Sequence, residues 1–145
     1  MTSFRTSRRV EFCDTDAAGI AHFSAFVLYM EQAEHELLRQ AGLSVMMADD
    51  EGKISWPRVA VQCEYQGSAK FEEIVDIDVE IQRLGEKSVT YAFQFGLSGK
   101  EIAHGKITAV CCRLTDHAPP KSIPIPALIR AKLTPFLESR SDSST

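Results

Sequence analysis

The sequence predicts an α+β fold in which one long helix lies against a curved five-stranded antiparallel sheet. Three observations carry that reading. Residues 24–41 repeat their apolar positions at a helical period, four β-rich runs follow one another after Pro57, and the links between those runs have the length and composition of hairpin loops. A lone helix must bury its apolar stripe, and a single sheet is the simplest cover for it.

Taken in order, RRVEFC at Arg8–Cys13 alternates polar and apolar residues as a first strand, with Val10 and Phe12 on one face. A loop from Asp14 to Phe23 follows. In SAFVLYMEQAEHELLRQA, Ser24–Ala41, the residues Phe26, Met30, Ala33, Leu37 and Ala41 recur near the helical period, and Gln32, Glu36, Arg39 and Gln40 supply a polar face. Ser24 is the expected N-cap and Gly42 the expected C′ residue. SVMMADDEGK reads as a short helical turn and a loop. The runs RVAVQCEYQ, IVDIDVEIQRL, SVTYAFQFGL and IAHGKITAVCCRL then read as strands, and in the second of them Ile77, Val79 and Ile81 alternate with Asp76, Asp78 and Glu80. Gly85–Lys87 and Ser98–Lys100 serve as hairpin loops. HAPPKSIPIP breaks the sheet, and PALIRAKLTPFL reads as a second, shorter helix or a pair of turns, interrupted at Pro135. One domain over 1–137 is expected, with 138–145, ESRSDSST, as a disordered tail.

Composition narrows the function classes. The chain has 44% hydrophobic and 25% charged residues, within the globular range, and 16 basic against 20 acidic residues give a net charge of −4. That balance lacks the basic stripe of a nucleic-acid binder, and Arg5, Arg8 and Arg9 read as a solvated strand edge. No run of 18 apolar residues and no signal core follows Met1, so neither a membrane partner nor secretion is expected, and the cytoplasm is the expected location. The four cysteines, Cys13, Cys63, Cys111 and Cys112, form no metal-ligand spacing and read as reduced packing residues; no metal site is expected. Glu31 and His35 are spaced as a surface pair on the helix, and His104 and His117 carry no motif.

The stretch EFCDTDAAGIAHFSAFVLYMEQA places two carboxylates and a glycine just ahead of the long helix. A helix N-terminus offers unpaired N–H groups and positive dipole, and a nearby carboxylate there can act as nucleophile or base on a carbonyl. One acid could also serve only the loop or the helix dipole. This stretch resembles the signature of the 4-hydroxybenzoyl-CoA thioesterase branch of the hotdog fold: Asp-x-Asp, a short spacer, Gly-Ile, then aromatic residues entering the central helix. The resemblance extends in outline over Pro57–Tyr65, FEEIVDIDVEI, RLGEKSVTYAF, Gly105 and IPIP. It implies a hotdog fold and an acyl-CoA thioesterase that needs no cofactor. Asp16 matches the family's catalytic carboxylate, the backbone N–H of Phe23 its carbonyl-polarising donor, and Gly19 the glycine between them. Gly19, His22 and Ser24 are the expected substrate-binding residues, His22 either orienting Asp16, contacting the pantetheine or packing at a subunit contact; Asp14 is left for the loop.

Two departures from the family pattern are visible. Related acyl-CoA thioesterases have histidine where this chain has Phe23, and its own histidine comes one place earlier; the usual Gly-Asp at the third-strand entrance is Glu72-Glu73 here. For the phosphates of CoA the candidate cations are Lys70, Arg83, Lys87, Lys106 and Arg113. The unpaired sheet edges and the resemblance together imply a homodimer or homotetramer. The competing expectation is a non-catalytic acyl-CoA or acyl-carrier binding module on the same fold. A hotdog dehydratase fits less well, because its histidine and helix acid have no clear match.

Overall fold

The computed structural model describes residues 3–138. In chain order the elements are β1 (Phe4–Arg9), α1 (Phe23–Gln40), β2 (Met47–Asp49), β3 (Gly52–Ser55), β4 (Arg58–Tyr65), β5 (Ile74–Leu84), β6 (Ser88–Leu97), β7 (Lys100–Val110), β8 (Cys112–Thr115), β9 (Ala118–Ser122) and α2 (Ala127–Leu133). They form a five-stranded antiparallel sheet, β1-β5-β6-β7-β4, and a four-stranded sheet, β2-β3-β8-β9.

The alternation in β5 sorts as its sequence suggests: Val75, Ile77, Val79 and Ile81 are buried beneath α1, while Asp76, Asp78 and Glu80 point to the other face. On that outer face Arg5 holds Asp78 with two hydrogen bonds of 2.7 and 3.0 Å across a directly paired position. Ser98 and Gly99 join β6 to β7, both at positive φ, which is the two-residue hairpin loop whose twist matches its strands. Phe26, Met30, Ala33 and Leu37 bury the stripe of α1. At Gly105 on β7 any Cβ would lie 2.7 Å from Met30 Sδ and 2.7 Å from the Gln62 carbonyl, so only glycine lets the helix sit this close to the sheet.

Several boundaries differ from the sequence reading. The first strand ends at Arg9, and residues 12–14 form a 3₁₀ turn, so Val10 is buried while Phe12 is 77% exposed. Arg8 is not a solvated edge residue; it bonds Gln32 and Glu36 of α1, each at 2.6 Å. The stretch 44–53 is not helical but supplies β2 and the start of β3, and Pro119 and Pro120 lie inside β9, an edge strand where a missing N–H is tolerated. Cys13 is exposed rather than packed, and all four cysteines are free. Of the expected tail, 139–145 lie outside the described residues, whereas the Glu138 N–H donates to the Ile81 carbonyl at 2.7 Å.

The ends of α1 are set by specific bonds. His22, not Ser24, is the N-cap: its Nδ1 accepts the Ser24 N–H at 3.2 Å, and its carbonyl accepts the Ala25 N–H at 2.8 Å. At the other end Gly42, φ +84°, donates to Arg39 at 3.0 Å and Leu43 to Leu38 at 2.8 Å, the paired bonds of a Schellman motif.

The interior holds one charged residue among its described members. Glu34 of α1 is 1% exposed; its Oε2 accepts from Arg58 Nη2 at 2.5 Å, and its Oε1 has no partner. Burial pushes its carboxyl up to about 7 against the lowering pull of Arg58, and Glu31 adds to the rise. A carboxyl raised in this way favours the folded state while neutral, so its contribution is full below the unfolded value near 4.5 and is lost as pH rises through about 7. Glu34→Gln removes that titration. In urea unfolding across this window, wild-type stability should fall with rising pH relative to the variant; parallel profiles would show that Glu34 titrates as it does in water.

Candidate active site

The loop ahead of α1 is a small hairpin of its own. Thr15 bridges Ala21, the Asp16 N–H donates to the Ile20 carbonyl at 2.9 Å, and the Gly19 N–H donates to the Asp16 carbonyl at 2.9 Å. Gly19 closes this turn at φ +79°, a backbone that suits glycine. Asp16 Oδ1 accepts from Ala18 N–H at 2.8 Å and Ile20 N–H at 3.4 Å. Among the described residues no donor reaches Oδ2.

Asp14 faces a different set of partners. Its Oδ2 accepts from the Tyr29 hydroxyl and from the Glu11 N–H, both at 2.9 Å, and its carbonyl accepts the His22 N–H at 2.7 Å. Tyr29 is buried in α1, and burial followed by the Asp14 bond raises its hydroxyl well above the ordinary tyrosine range. One carboxylate therefore ties the loop to the helix, and the other is left with a free oxygen.

That free carboxylate shares a cavity of about 230 Å³ with Ile20, Phe23, Phe26, Tyr65 and Gly67. With Ser24 and Ala25 bonded to the His22 cap, no acceptor among the described residues reaches the Phe23 N–H, the first amide of α1. Tyr65, at the end of β4, donates its hydroxyl to the Phe23 carbonyl at 2.8 Å and packs its ring edge-on against Phe26 at 5.4 Å. Burial and the neighbouring Cys63 push the Tyr65 hydroxyl up to about 12, so it stays a donor.

Of the residues singled out in the sequence, Asp16 and Phe23 come together at one cavity. Gly19, His22 and Ser24 do backbone work beside it: Gly19 turns the loop, and the His22 ring caps the helix, bonds the Ser24 hydroxyl at 2.9 Å and stacks against Phe23 at 4.4 Å. Tyr65, Gly67 and Phe26 were not singled out, because nothing near the Asp-x-Asp motif tells which end of which strand will lie beside it. Among the candidate cations Lys70 bridges Ile20 next to the loop, whereas Arg113 is taken by Asp49 and the Gly52 carbonyl and ties β8 to the β2–β3 hairpin. Among the described residues no His, Cys, Asp and Glu cluster could hold a metal ion, and no helix is long and apolar enough to cross a membrane.

A family model for the thioesterase-like superfamily matches residues 10–133. The chain belongs to that superfamily. This thioesterase-like chain is 26% identical over 128 residues to the acyl-CoA thioester hydrolase YbgC of Escherichia coli, covering 84% of the chain and 93% of YbgC. It is 32% identical over 104 residues to a 1,4-dihydroxy-2-naphthoyl-CoA hydrolase of Synechococcus, covering 68% of the chain and 70% of that protein. The crystal structure of Slr0204, a 1,4-dihydroxy-2-naphthoyl-CoA thioesterase from Synechocystis, superposes with a TM-score of 0.81 at 20% identity, over 92% of this chain and 96% of that one. The fold is thus the hotdog-like fold of thioesterases.

Of the two departures from the resemblance, the one at Glu72 has a structural cost in this thioesterase-like chain. The turn Lys70–Glu73, closed by the Glu73 N–H to the Lys70 carbonyl at 3.0 Å, puts Glu72 at φ +75°, where the resemblance leads one to expect glycine. A left-handed conformation is unfavourable for an L residue with a Cβ. Glu72→Gly should raise stability by about 1 kcal/mol, offset in part by the greater freedom of glycine in the unfolded chain. A shift of the urea midpoint to lower concentration would overturn this account of the turn.

Proposed function

We propose that this chain hydrolyses a CoA thioester to a free acid and CoA, with Asp16 acting on the thioester carbonyl carbon and the Phe23 N–H binding its oxygen. One observation carries the reading: Asp16, whose Oδ2 meets no donor among the described residues, and Phe23, whose N–H at the helix start meets no acceptor among them, line the same cavity. The printed functions of the superfamily relatives support a CoA ester as the substrate class.

The chemistry follows from the two groups. As the carbonyl carbon becomes tetrahedral its oxygen gains negative charge, which the Phe23 N–H and the positive end of α1 stabilise. Asp16 Oδ2 either attacks that carbon, expelling the CoA thiolate and leaving an anhydride that water opens, or takes a proton from a water that attacks in its place. In both routes the acyl–sulfur bond breaks and one water is consumed. Oδ1, held by two amides of its own turn, fixes the carboxylate plane.

The assembled form is a dimer at least, joined through β4. This strand is an edge of the main sheet, and beside its open backbone it leaves Val59 63%, Val61 47% and Tyr65 43% exposed, with Phe23 65% exposed nearby on α1. A second copy pairing on this edge covers the apolar side chains and the unpaired amides together. Sedimentation at micromolar concentration should give the mass of two chains or a multiple; the mass of one chain would refute the dimer.

Asp16→Asn keeps the shape of the turn and removes the reactive carboxylate, so kcat should fall by roughly 10²–10⁴ with folding intact. Asp14→Asn should instead lower stability, since the amide replaces the acceptor of Tyr29 only in part. Thiol release from a panel of acyl-CoAs measures the first and urea unfolding the second. An inactive Asp14→Asn beside a fully active Asp16→Asn would reverse the assignment. Tight binding of CoA esters recovered intact from wild-type protein would identify a binding module instead.

A further inference from the structure

Phe23 is the first residue of α1, and its side chain is 65% exposed, so the core does not anchor it. The peptide groups on either side of it decide where its N–H points. In the first of these, His22–Phe23, the carbonyl accepts the Ala25 N–H at 2.8 Å, and no acceptor among the described residues reaches the N–H. The next peptide, Phe23–Ser24, is held at both ends. Its carbonyl accepts the Tyr65 hydroxyl at 2.8 Å, and its N–H donates to His22 Nδ1 at 3.2 Å.

The two holds differ in origin. His22 belongs to the segment it caps and moves with it. Tyr65 closes β4, 42 residues along the chain, and its ring packs edge-on against Phe26 at 5.4 Å, which in turn packs edge-on against Phe95 of β6 at 5.1 Å. The hydroxyl thus ties the helix start to the sheet. Among the described residues no other side chain of the main sheet hydrogen-bonds residues 23–26. The carbonyl of a first helical residue spends one lone pair on the N–H four residues on, and the hydroxyl takes the other. For Nδ1 to accept the Ser24 N–H, the ring proton must sit on Nε2. Tyr65 O–H, Phe23 C=O, Ser24 N–H and His22 Nδ1 therefore form a head-to-tail chain in which each bond strengthens the next.

We infer that Tyr65 is a positioning residue for the oxyanion donor: with His22 it clamps the Phe23–Ser24 peptide, so that the Phe23 N–H keeps its direction while charge gathers on the thioester oxygen. This rests on the thioesterase reading. Tyr65 touches no reacting atom and acts through the helix start. A donor of this kind serves catalysis to the extent that it needs no reorganisation at the moment of reaction. The end of a helix frays, so a first turn meets that condition only when it is held from outside.

Tyr65→Phe tests this, because it removes the hydroxyl and keeps the ring and its packing. On the acyl-CoA of the panel that wild-type protein turns over fastest, kcat should fall by about tenfold to a hundredfold, with KM within about twofold of wild type. In the same variant the Ser24 amide, followed by NMR, should exchange its hydrogen about tenfold faster or more, with core amides such as Phe93 unchanged. A wild-type kcat overturns the inference. So does a lower kcat with unchanged Ser24 exchange, which puts the hydroxyl on the substrate itself. Faster exchange that extends to the core amides, or loss of the wild-type mass in sedimentation, makes Tyr65 a packing or subunit contact and equally overturns it. If wild-type protein hydrolyses no ester, the thioesterase reading fails separately; faster Ser24 exchange in Tyr65→Phe then still supports the clamp, and equal exchange ends it.

Discussion

The close approach of Met30 to Gly105 governs where everything else stands. Because β7 offers no Cβ at that point, α1 rests against the sheet at one depth and one register, and its first turn is carried to the end of β4. The Asp16 hairpin has no core of its own. It is tied to α1 through Asp14–Tyr29 and through the His22 cap, and to residues 69–70 through Ile20 and Ala21, so its carboxylate is placed by the helix and by the loop ahead of β5 together. On the proposed reading, such joint placement of carboxylate and amide is what a polar transition state requires.

Much of this order is legible in the sequence, for stated physical reasons. Period-two alternation in β5 and β6 and the 3.6 period in α1 each follow from burying one face, so those elements read directly. Where burial is not one-sided, the pattern is lost. The β2–β3 hairpin is short and largely exposed, and β9 carries two prolines, so neither shows a strand signature. RRVEFC misleads in the other direction: its alternation is real, but the chain leaves the sheet at Val10 to enter a turn held by Asp14, a bond that no local pattern displays.

The site divides along the same line. Asp16 and Phe23 are readable because motif and helix start are contiguous in the chain. Tyr65 depends on which ends of distant strands meet, and Glu34 looks like one more polar residue of a helix whose neighbours Glu31 and Glu36 do reach solvent. That His22 caps α1 in place of Ser24 comes down to the helix beginning two residues earlier than composition implies.

The four edges of the two sheets are not alike. β1 is flanked by the charged side chains of Arg5, Arg8 and Arg9, the first two engaged by Asp78 and by Gln32 and Glu36; β2 has three residues; β9 lacks donors at Pro119 and Pro120. Each is a known means of preventing strand recruitment. β4 alone combines length with uncharged side chains at Val59, Ala60 and Val61. If the chain pairs through β4 as proposed, a closed two-fold pairing uses up that border and leaves three blunted ones, so the same residues that shape the two sheets also disfavour growth into fibres.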